Sequence, residues 1–196
     1  MDEAQSELPF IPLCGFPTPA DVYNTSYAAP SLAVAGDGTV YLAWTSLDTT
    51  FGCLGSDTTL IAKSIDGGST WSSPVTVDAH LYHTNPGDGC SASAFYPFDP
   101  PAQPIERANA FATIDVDRNP QSAYYGAVYM VTSDYAGPIV QNTDLWDQDV
   151  FLRRSTDGGA TWSARVRVNN DDPSGWATQF MPSLSVDPSD GTVNVT

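Results

Sequence analysis

Basic residues are scarce in this sequence. The 196 residues include 23 Asp and Glu but only seven Lys and Arg, so the formal net charge is −16. A surface with this charge repels nucleic acid and anionic lipid, because both bind mainly to Lys and Arg. The composition therefore argues against both as partners. For the carboxylates it leaves two alternatives open: an acidic surface that keeps the protein in solution, or loop oxygens that hold calcium.

Cysteines and long apolar runs are also few. Cys14, Cys53 and Cys90 do not have the close spacing of a metal-ligand motif, and they allow one disulfide with a spare thiol, or three thiols. No apolar run reaches the length of a membrane span, so we predict no membrane insertion. The acidic start and the short, proline-interrupted run at residues 8–13 do not form a secretory signal. The chain is therefore cytosolic, or its signal lies outside this sequence.

One eight-residue motif occurs twice. Ser64-Ile65-Asp66-Gly67-Gly68-Ser69-Thr70-Trp71 is repeated as Ser155-Thr156-Asp157-Gly158-Gly159-Ala160-Thr161-Trp162. The glycines allow the positive φ of a tight hairpin, the Asp can accept hydrogen bonds from turn amides, and the Trp can pack on neighbouring strands. We therefore predict a structural role for the defined positions of both copies: Ser64, Asp66, Gly68, Thr70, Trp71, Ser155, Asp157, Gly159, Thr161 and Trp162.

Short predicted strands surround both motifs. The chain has 15 Gly, 16 Pro and no helical period, which is typical of an all-β protein. The strand patterns fall at residues 31–34, 40–44, 59–63 and 74–77, and again at 112–116, 127–132, 149–154 and 165–168. Each set predicts a four-stranded antiparallel meander, and a third set begins at residue 182. Residues 1–29 have no such period and are predicted to be a leader or linker.

The motif S-x-D-x-G-x-T-W resembles the Asp box, or bacterial neuraminidase repeat, of sialidase-like β-propellers. The resemblance implies an all-β fold with about two to two and a half blades of a six-bladed propeller, each blade a four-stranded antiparallel meander. It implies one incomplete propeller domain over residues 30–196, with blades at about 30–78 and 111–168 and a third starting at 182. Further blades would be needed to close the ring, so we expect a fragment of a longer, extracellular protein.

The long loops carry the candidate ligand residues, because in this family sugar binds on the face opposite the boxes. The loops on that face offer carboxylates, an arginine and rings that stack on sugars. The candidates are Arg107, Asp134, Tyr135, Asp144, Trp146 and Trp176. The family's general acid lies in the second-to-third loop of the first blade, so Asp48 and Asp57 are the catalytic candidates. Asp171 and Asp172 are candidate calcium ligands, and we expect no other cofactor.

Two further features bear on this face. Cys53 and Cys90 both fall on it, and a disulfide between them would require an oxidising compartment. His80 and His83 are three residues apart but lack a third metal ligand at a recognisable spacing.

The arginine clamp of sialidases is absent from its expected position. These enzymes use an Asp acid, a Tyr–Glu nucleophile pair and three arginines that bind the substrate carboxylate. The first arginine belongs to a Y/F-R-I-P sequence, and Ala28 occupies its position here. Three functions stay open: an exo-α-sialidase-like glycoside hydrolase, a non-catalytic propeller that binds a carbohydrate or a cell-surface glycoprotein, and a structural repeat module.

Overall fold

The computed structural model describes residues 25–48, 58–79, 111–135, 148–171, 179 and 181–196. The regular structure of these residues consists of β-strands, and none of them is helical. Consecutive strands pair antiparallel and form two four-stranded sheets and one two-stranded sheet. The predicted all-β meander architecture is confirmed. The described part of the chain also has no helix with the length and apolarity that a bilayer crossing requires.

We refer to the three sheets as blades 1, 2 and 3. Blade 1 contains β1 (Thr25–Val34), β2 (Val40–Asp48), β3 (Thr58–Ser64) and β4 (Val75–Ala79). Blade 2 contains β5 (Thr113–Val116), β6 (Val128–Tyr135), β7 (Gln148–Ser155) and β8 (Val166–Arg167). Blade 3 contains β9 (Leu184–Val186) and β10 (Val193–Val195), which pair with each other.

The strand register aligns the two four-stranded blades residue by residue. Val40 pairs with Ser64 in blade 1, and Val128 pairs with Ser155 in blade 2. Because the two serines open the two copies of the motif, the same register makes other positions equivalent. The equivalent pairs are Tyr41 and Tyr129, Ile61 and Leu152, Lys63 and Arg154, Leu32 and Ile114, and Val34 and Val116.

Two apolar layers join the blades. Successive side chains along a strand point to opposite faces of its sheet, so each sheet presents one apolar face to each neighbouring blade. The first layer combines blades 1 and 2 and is built from Ala33, Tyr41, Ala43, Ile61, Val77, Ala112, Ile114, Val116, Val128 and Met130. The second layer combines blades 2 and 3 and is built from Ala127, Tyr129, Val131, Val150, Leu184 and Val186. Burial of each larger side chain contributes roughly 1.5–3 kcal/mol.

Several strands are longer than the side-chain pattern predicts. β1 begins at Thr25 rather than at Ser31, so residues 25–29, which were predicted to belong to the leader, lie in the first strand. A bulge between Ala28 and Ser31, where Ala29 has a φ of 50°, interrupts the alternation that would have signalled the strand. β2 continues to Asp48, whose backbone pairs with that of Thr25. Asp48 is thus the last residue of a strand and not a loop residue.

Candidate functional site

The first copy of the motif, which we call box 1 (residues 64–71), is closed by its own side chains. The Ser64 hydroxyl donates to Asp66 Oδ1 at 2.8 Å and accepts the Gly68 N–H at 2.8 Å. The Asp66 carboxylate also accepts the Thr70 N–H at 2.8 Å and the Thr70 hydroxyl at 2.6 Å. These bonds, led by that from the Thr70 hydroxyl, lower the pKa of Asp66 to about 2. The carboxylate is therefore ionised and committed to the turn.

Box 2 (residues 155–162) repeats these contacts and adds one to the preceding blade. Asp157 accepts the Thr161 N–H at 2.9 Å and the Thr161 hydroxyl at 2.5 Å, and its pKa is likewise lowered to about 2. Lys63 of blade 1 donates from Nζ to the Gly158 carbonyl at 3.2 Å, and Trp162 packs against the first apolar layer. Box 2 therefore joins the two blades, and its polar groups hold a hairpin rather than a ligand.

The ends of the strands that lie away from the boxes carry polar side chains. Thr45 and Thr59 in blade 1 and Ser133 in blade 2 are fully buried, although the same strands are apolar nearer the boxes. Asp134 and Asp149, which pair across β6 and β7, are buried next to them. Buried polar groups are costly unless they are hydrogen-bonded or paired, so this end needs compensating partners.

Two arginines from the outer part of blade 2 are those partners. Arg165 binds Asp134 Oδ2 at 2.9 Å, and its guanidinium lies 4.3 Å from the centroid of the Phe151 ring. Arg167 lies 2.7 Å from Asp149 Oδ2 and 3.2 Å from Asp171 Oδ1. We call this group the carboxylate–arginine cluster: Asp134, Asp149, Asp171, Arg165 and Arg167.

Asn169 completes the network around this cluster. Its Nδ2 donates to Asp149 Oδ1 at 2.6 Å and to Gln179 Oε1 at 3.0 Å, and it also hydrogen-bonds Asp171. The hydrogen bond from Asn169 is the main reason why the pKa of Asp171 is lowered. The cluster is therefore a network of ion pairs and hydrogen bonds at the polar end of blade 2, with three carboxylates and two guanidinium groups.

The other described arginines are also engaged within the protein. Arg153 binds Asp78 of blade 1 through two hydrogen bonds of 2.9 Å each. Arg118 lies 3.1 Å from Asp115 and donates to the Val34 carbonyl at 3.0 Å. Arg154 lies 4.0 Å from the centroid of the Tyr124 ring. Every arginine that the structure describes thus contacts a carboxylate or an aromatic ring of the chain itself.

Comparison with known proteins was made at the level of sequence and of structure. No family model matches the chain. The chain is 28% identical over 162 residues to a sialidase from Micromonospora viridifaciens, a match that covers 81% of this chain and 22% of that sialidase. The fold is sialidase-like. The chain spans only about a fifth of the length of this relative.

Solved structures with similar folds share less sequence. A Hadza microbial sialidase has a TM-score of 0.42 and 14% identity, with 84% of this chain and 28% of that chain covered. An N-acetylgalactosamine deacetylase from F. plautii, solved with blood group B trisaccharide, has a TM-score of 0.44 and 18% identity, with 84% and 43% covered.

The structure places part of the predicted ligand set in the sialidase-like fold. Asp134 is a member of the carboxylate–arginine cluster, and the backbones of Tyr135 and Asp48 lie at the ends of β6 and β2 away from the boxes. The remaining candidates lie outside the described residues: Asp57, Arg107, Asp144, Trp146, Trp176, His80, His83 and the three cysteines. Their predicted roles stay predictions.

Calcium binding near residues 171 and 172 also stays a prediction. Asp171 contacts Arg167 and Asn169, whereas Asp172 lies outside the described residues. Among the described residues, no group of three or more His, Cys, Asp or Glu side chains is placed to hold a metal ion. Sequence reasoning missed Asp149 and Gln179 as neighbours of Asp171, because only their hydrogen bonds through Asn169 bring them together.

Proposed function

We propose that this chain is part of an extracellular, sialidase-like protein and that its blades bind glycans at the ends opposite the boxes. The observation that carries the proposal is the division of blades 1 and 2 into two ends. At the box end the polar groups are hydrogen-bonded within the turns, whereas the other end contains several buried polar side chains. Carbohydrate recognition requires such fixed polar groups together with aromatic surface.

The charge of the polar end favours neutral glycans over sialylated ones. Its carboxylate–arginine cluster contains three carboxylates but only two guanidinium groups, and each guanidinium is already paired. An anionic sugar would meet a surplus of negative charge without an arginine clamp, which binds a carboxylate through paired N–H donors. Neutral sugars avoid this repulsion and can still stack on aromatic rings.

A glycan array probed with the purified protein tests this proposal. We expect stronger binding to glycans with neutral termini than to their sialylated counterparts. In our assignment Trp146 and Trp176 stack on the sugar, so Trp146→Ala or Trp176→Ala weakens binding roughly tenfold, the usual effect of losing an aromatic anchor. Trp71→Ala, on the box end, is the matched control and leaves binding unchanged. Stronger binding to the sialylated glycans would overturn the neutral-glycan proposal.

Hydrolysis of a sialoside is the second candidate function, and the identity to the Micromonospora viridifaciens sialidase favours it. In this alternative a carboxylic acid protonates the leaving oxygen, and Asp48 at the end of β2 is our candidate. We expect Asp48→Asn to abolish turnover of a fluorogenic sialoside. Asp57→Asn, at the other catalytic candidate, is the matched variant for comparison. Absence of turnover by the full-length protein, combined with glycan binding, excludes this alternative.

A further inference from the structure

A carboxylate oxygen in the joint between blades 2 and 3 lacks a partner among the described residues. Asp117 opens the turn at the box end of blade 2 (residues 117–127), and its side chain is fully buried. Its Oδ1 accepts the Asn119 N–H at 2.9 Å, whereas its Oδ2 is shielded from solvent and makes no hydrogen bond to any described residue. A buried carboxylate is costly unless it is paired, so Oδ2 needs a donor or a cation.

The basic side chains bind other groups or lie at the other end of blade 2. The sequence has seven Lys and Arg residues, and all except Arg107 lie in the described part of the chain. Lys63 binds a carbonyl of box 2, Arg118 binds Asp115, and the others bind different carboxylates or a ring. Arg107 belongs to a stretch that joins β5 at the end away from the boxes. A buried water could donate to Oδ2 but would leave its charge uncompensated, so a cation from solution is the better partner.

Further oxygens lie next to Oδ2, where the turn of blade 3 (residues 187–192) meets the turn of blade 2. An ideal Cβ on Gly191 would lie 3.0 Å from Asp117 Oδ2 and 2.9 Å from Ser122 Oγ, so both oxygens border the space beside this glycine. Asn119 connects the same two turns, because its Nδ2 donates to the Ser189 carbonyl at 3.2 Å. A carboxylate, a hydroxyl and a main-chain carbonyl are therefore neighbours in this joint, and hard cations prefer such oxygens.

We propose that Asp117 Oδ2, Ser122 Oγ and the Ser189 carbonyl bind a monovalent metal cation that ties the turn of blade 2 to the turn of blade 3. The single carboxylate decides the charge of the ion, because a second positive charge would stay uncompensated in a buried site. Calcium sites commonly contain several carboxylates, and the described residues hold no group of three or more acidic, His or Cys side chains around a metal position. The inference does not depend on glycan binding.

Blade 3 contains a matched carboxylate that has no need of an ion. The Asp187 N–H donates to the Thr192 carbonyl across its turn, as the Asp117 N–H donates to the Ala127 carbonyl, so the two residues are equivalent. Asp187 is partly exposed, and its Oδ1 accepts the N–H of Ser189 at 2.8 Å and the hydroxyl at 2.6 Å. Loss of its charge should therefore leave cation binding unchanged.

Hydrogen exchange of the purified protein, measured in sodium chloride and in choline chloride at equal ionic strength and pH, tests the proposal. An ion that binds only the closed joint slows the exchange of the β9 and β10 amides, by about tenfold when sodium is at ten times its Kd. The Gly68 N–H of box 1, in blade 1, is the internal control and should exchange equally in both salts. Asp117→Asn should remove the sodium effect, whereas Asp187→Asn should retain it.

Alanine at Gly191 tests the same site without removing a charge. Its methyl group occupies the space beside the two oxygens, so Gly191→Ala should also abolish the sodium effect. Gly38→Ala is the matched control and should retain it, because Gly38 has a φ of 88° against 79° for Gly191 but no atom within 4 Å of an added Cβ.

Three results would overturn the proposal. Exchange of the β9 and β10 amides that is independent of sodium in the unsubstituted protein would leave Oδ2 with a water or with another part of the chain. Slowing by calcium but not by sodium would contradict the monovalent charge. A sodium effect that survives Asp117→Asn would place the ion elsewhere.

Discussion

A comparison of Gly67→Ala with Gly158→Ala should separate the backbone strain of the box turn from the contact between blades 1 and 2. The first glycine of each box has a φ of 70°, so both substitutions force a side chain into the left-handed region. That strain costs roughly 1–2 kcal/mol at either position. Nothing surrounds the new Cβ at Gly67, so Gly67→Ala should cost only the strain.

Gly158→Ala should cost more, because the new methyl group would approach Lys63 Nζ to 2.9 Å and the Tyr41 hydroxyl to 3.4 Å. The lysine is flexible and can move away, but it then loses its hydrogen bond to the Gly158 carbonyl. The loss of one such bond adds about 1 kcal/mol. We therefore expect about 1–2 kcal/mol for Gly67→Ala and about 2–3 kcal/mol for Gly158→Ala.

Equilibrium unfolding in urea measures both costs, and Lys63→Met provides the control. If the additional cost comes from the contact between blades, Gly158→Ala in the Lys63→Met background should cost about as much as Gly67→Ala. The double-mutant cycle then gives a coupling of about 1 kcal/mol. In thermal unfolding this corresponds to about 2–4 °C for a chain of this size. Equal costs for the two single variants would refute the docking of box 2 on blade 1.

Three further predictions concern the boxes and the joint between blades 1 and 2. Ser155→Ala leaves the buried Gly159 N–H without its acceptor and should cost about 2 kcal/mol in urea unfolding, whereas Ser64→Ala in the more open box 1 should cost about half as much. The pKa values of Asp66 and Asp157, near 2 in the folded protein, predict stability that is present above pH 4 and lost as the pH falls towards 2. Asn at both positions should flatten this part of the pH profile. Arg153→Lys cannot form the paired bonds to Asp78 and should lower the free energy of unfolding by about 1–2 kcal/mol.

The local parts of the fold could be predicted because short-range chemistry encodes them. The repeated Ser-x-Asp-x-Gly pattern places a hydroxyl, a carboxylate and a flexible residue within one turn, and these groups bond one another in both boxes. The strand patterns around the two boxes then predicted the order and antiparallel pairing of the strands. Strand ends were less predictable, because β1 continues through Ala29 by backbone pairing after the alternation of its side chains has stopped.

The polar end of blade 2 could not be predicted, because its contacts join residues far apart in the sequence. Arg165 and Asp134 are 31 residues apart, and Asn169 and Asp149 are 20 apart. Nothing in the sequence around Asp134 distinguishes a carboxylate that binds a ligand from one that neutralises an arginine. The replacement of the first arginine of the family's clamp by Ala28 stays a prediction, since it rests on aligned sequence positions alone.

The arginines of the blades already bind carboxylates of the protein, and this limits which residues could provide specificity for an anionic sugar. A carboxylate that is shielded from water without a cation is costly, so Asp78, Asp134 and Asp149 each require the arginine they bind. To clamp a substrate carboxylate, Arg165 or Arg167 would have to leave its partner, and the energy of the new pair would be offset by the loss of the old one. One further cation would only cancel the surplus charge of a cluster that has three carboxylates and two guanidinium groups, and would not reverse it. Strong selectivity for sialylated glycans would therefore require arginines from blades other than 1 and 2.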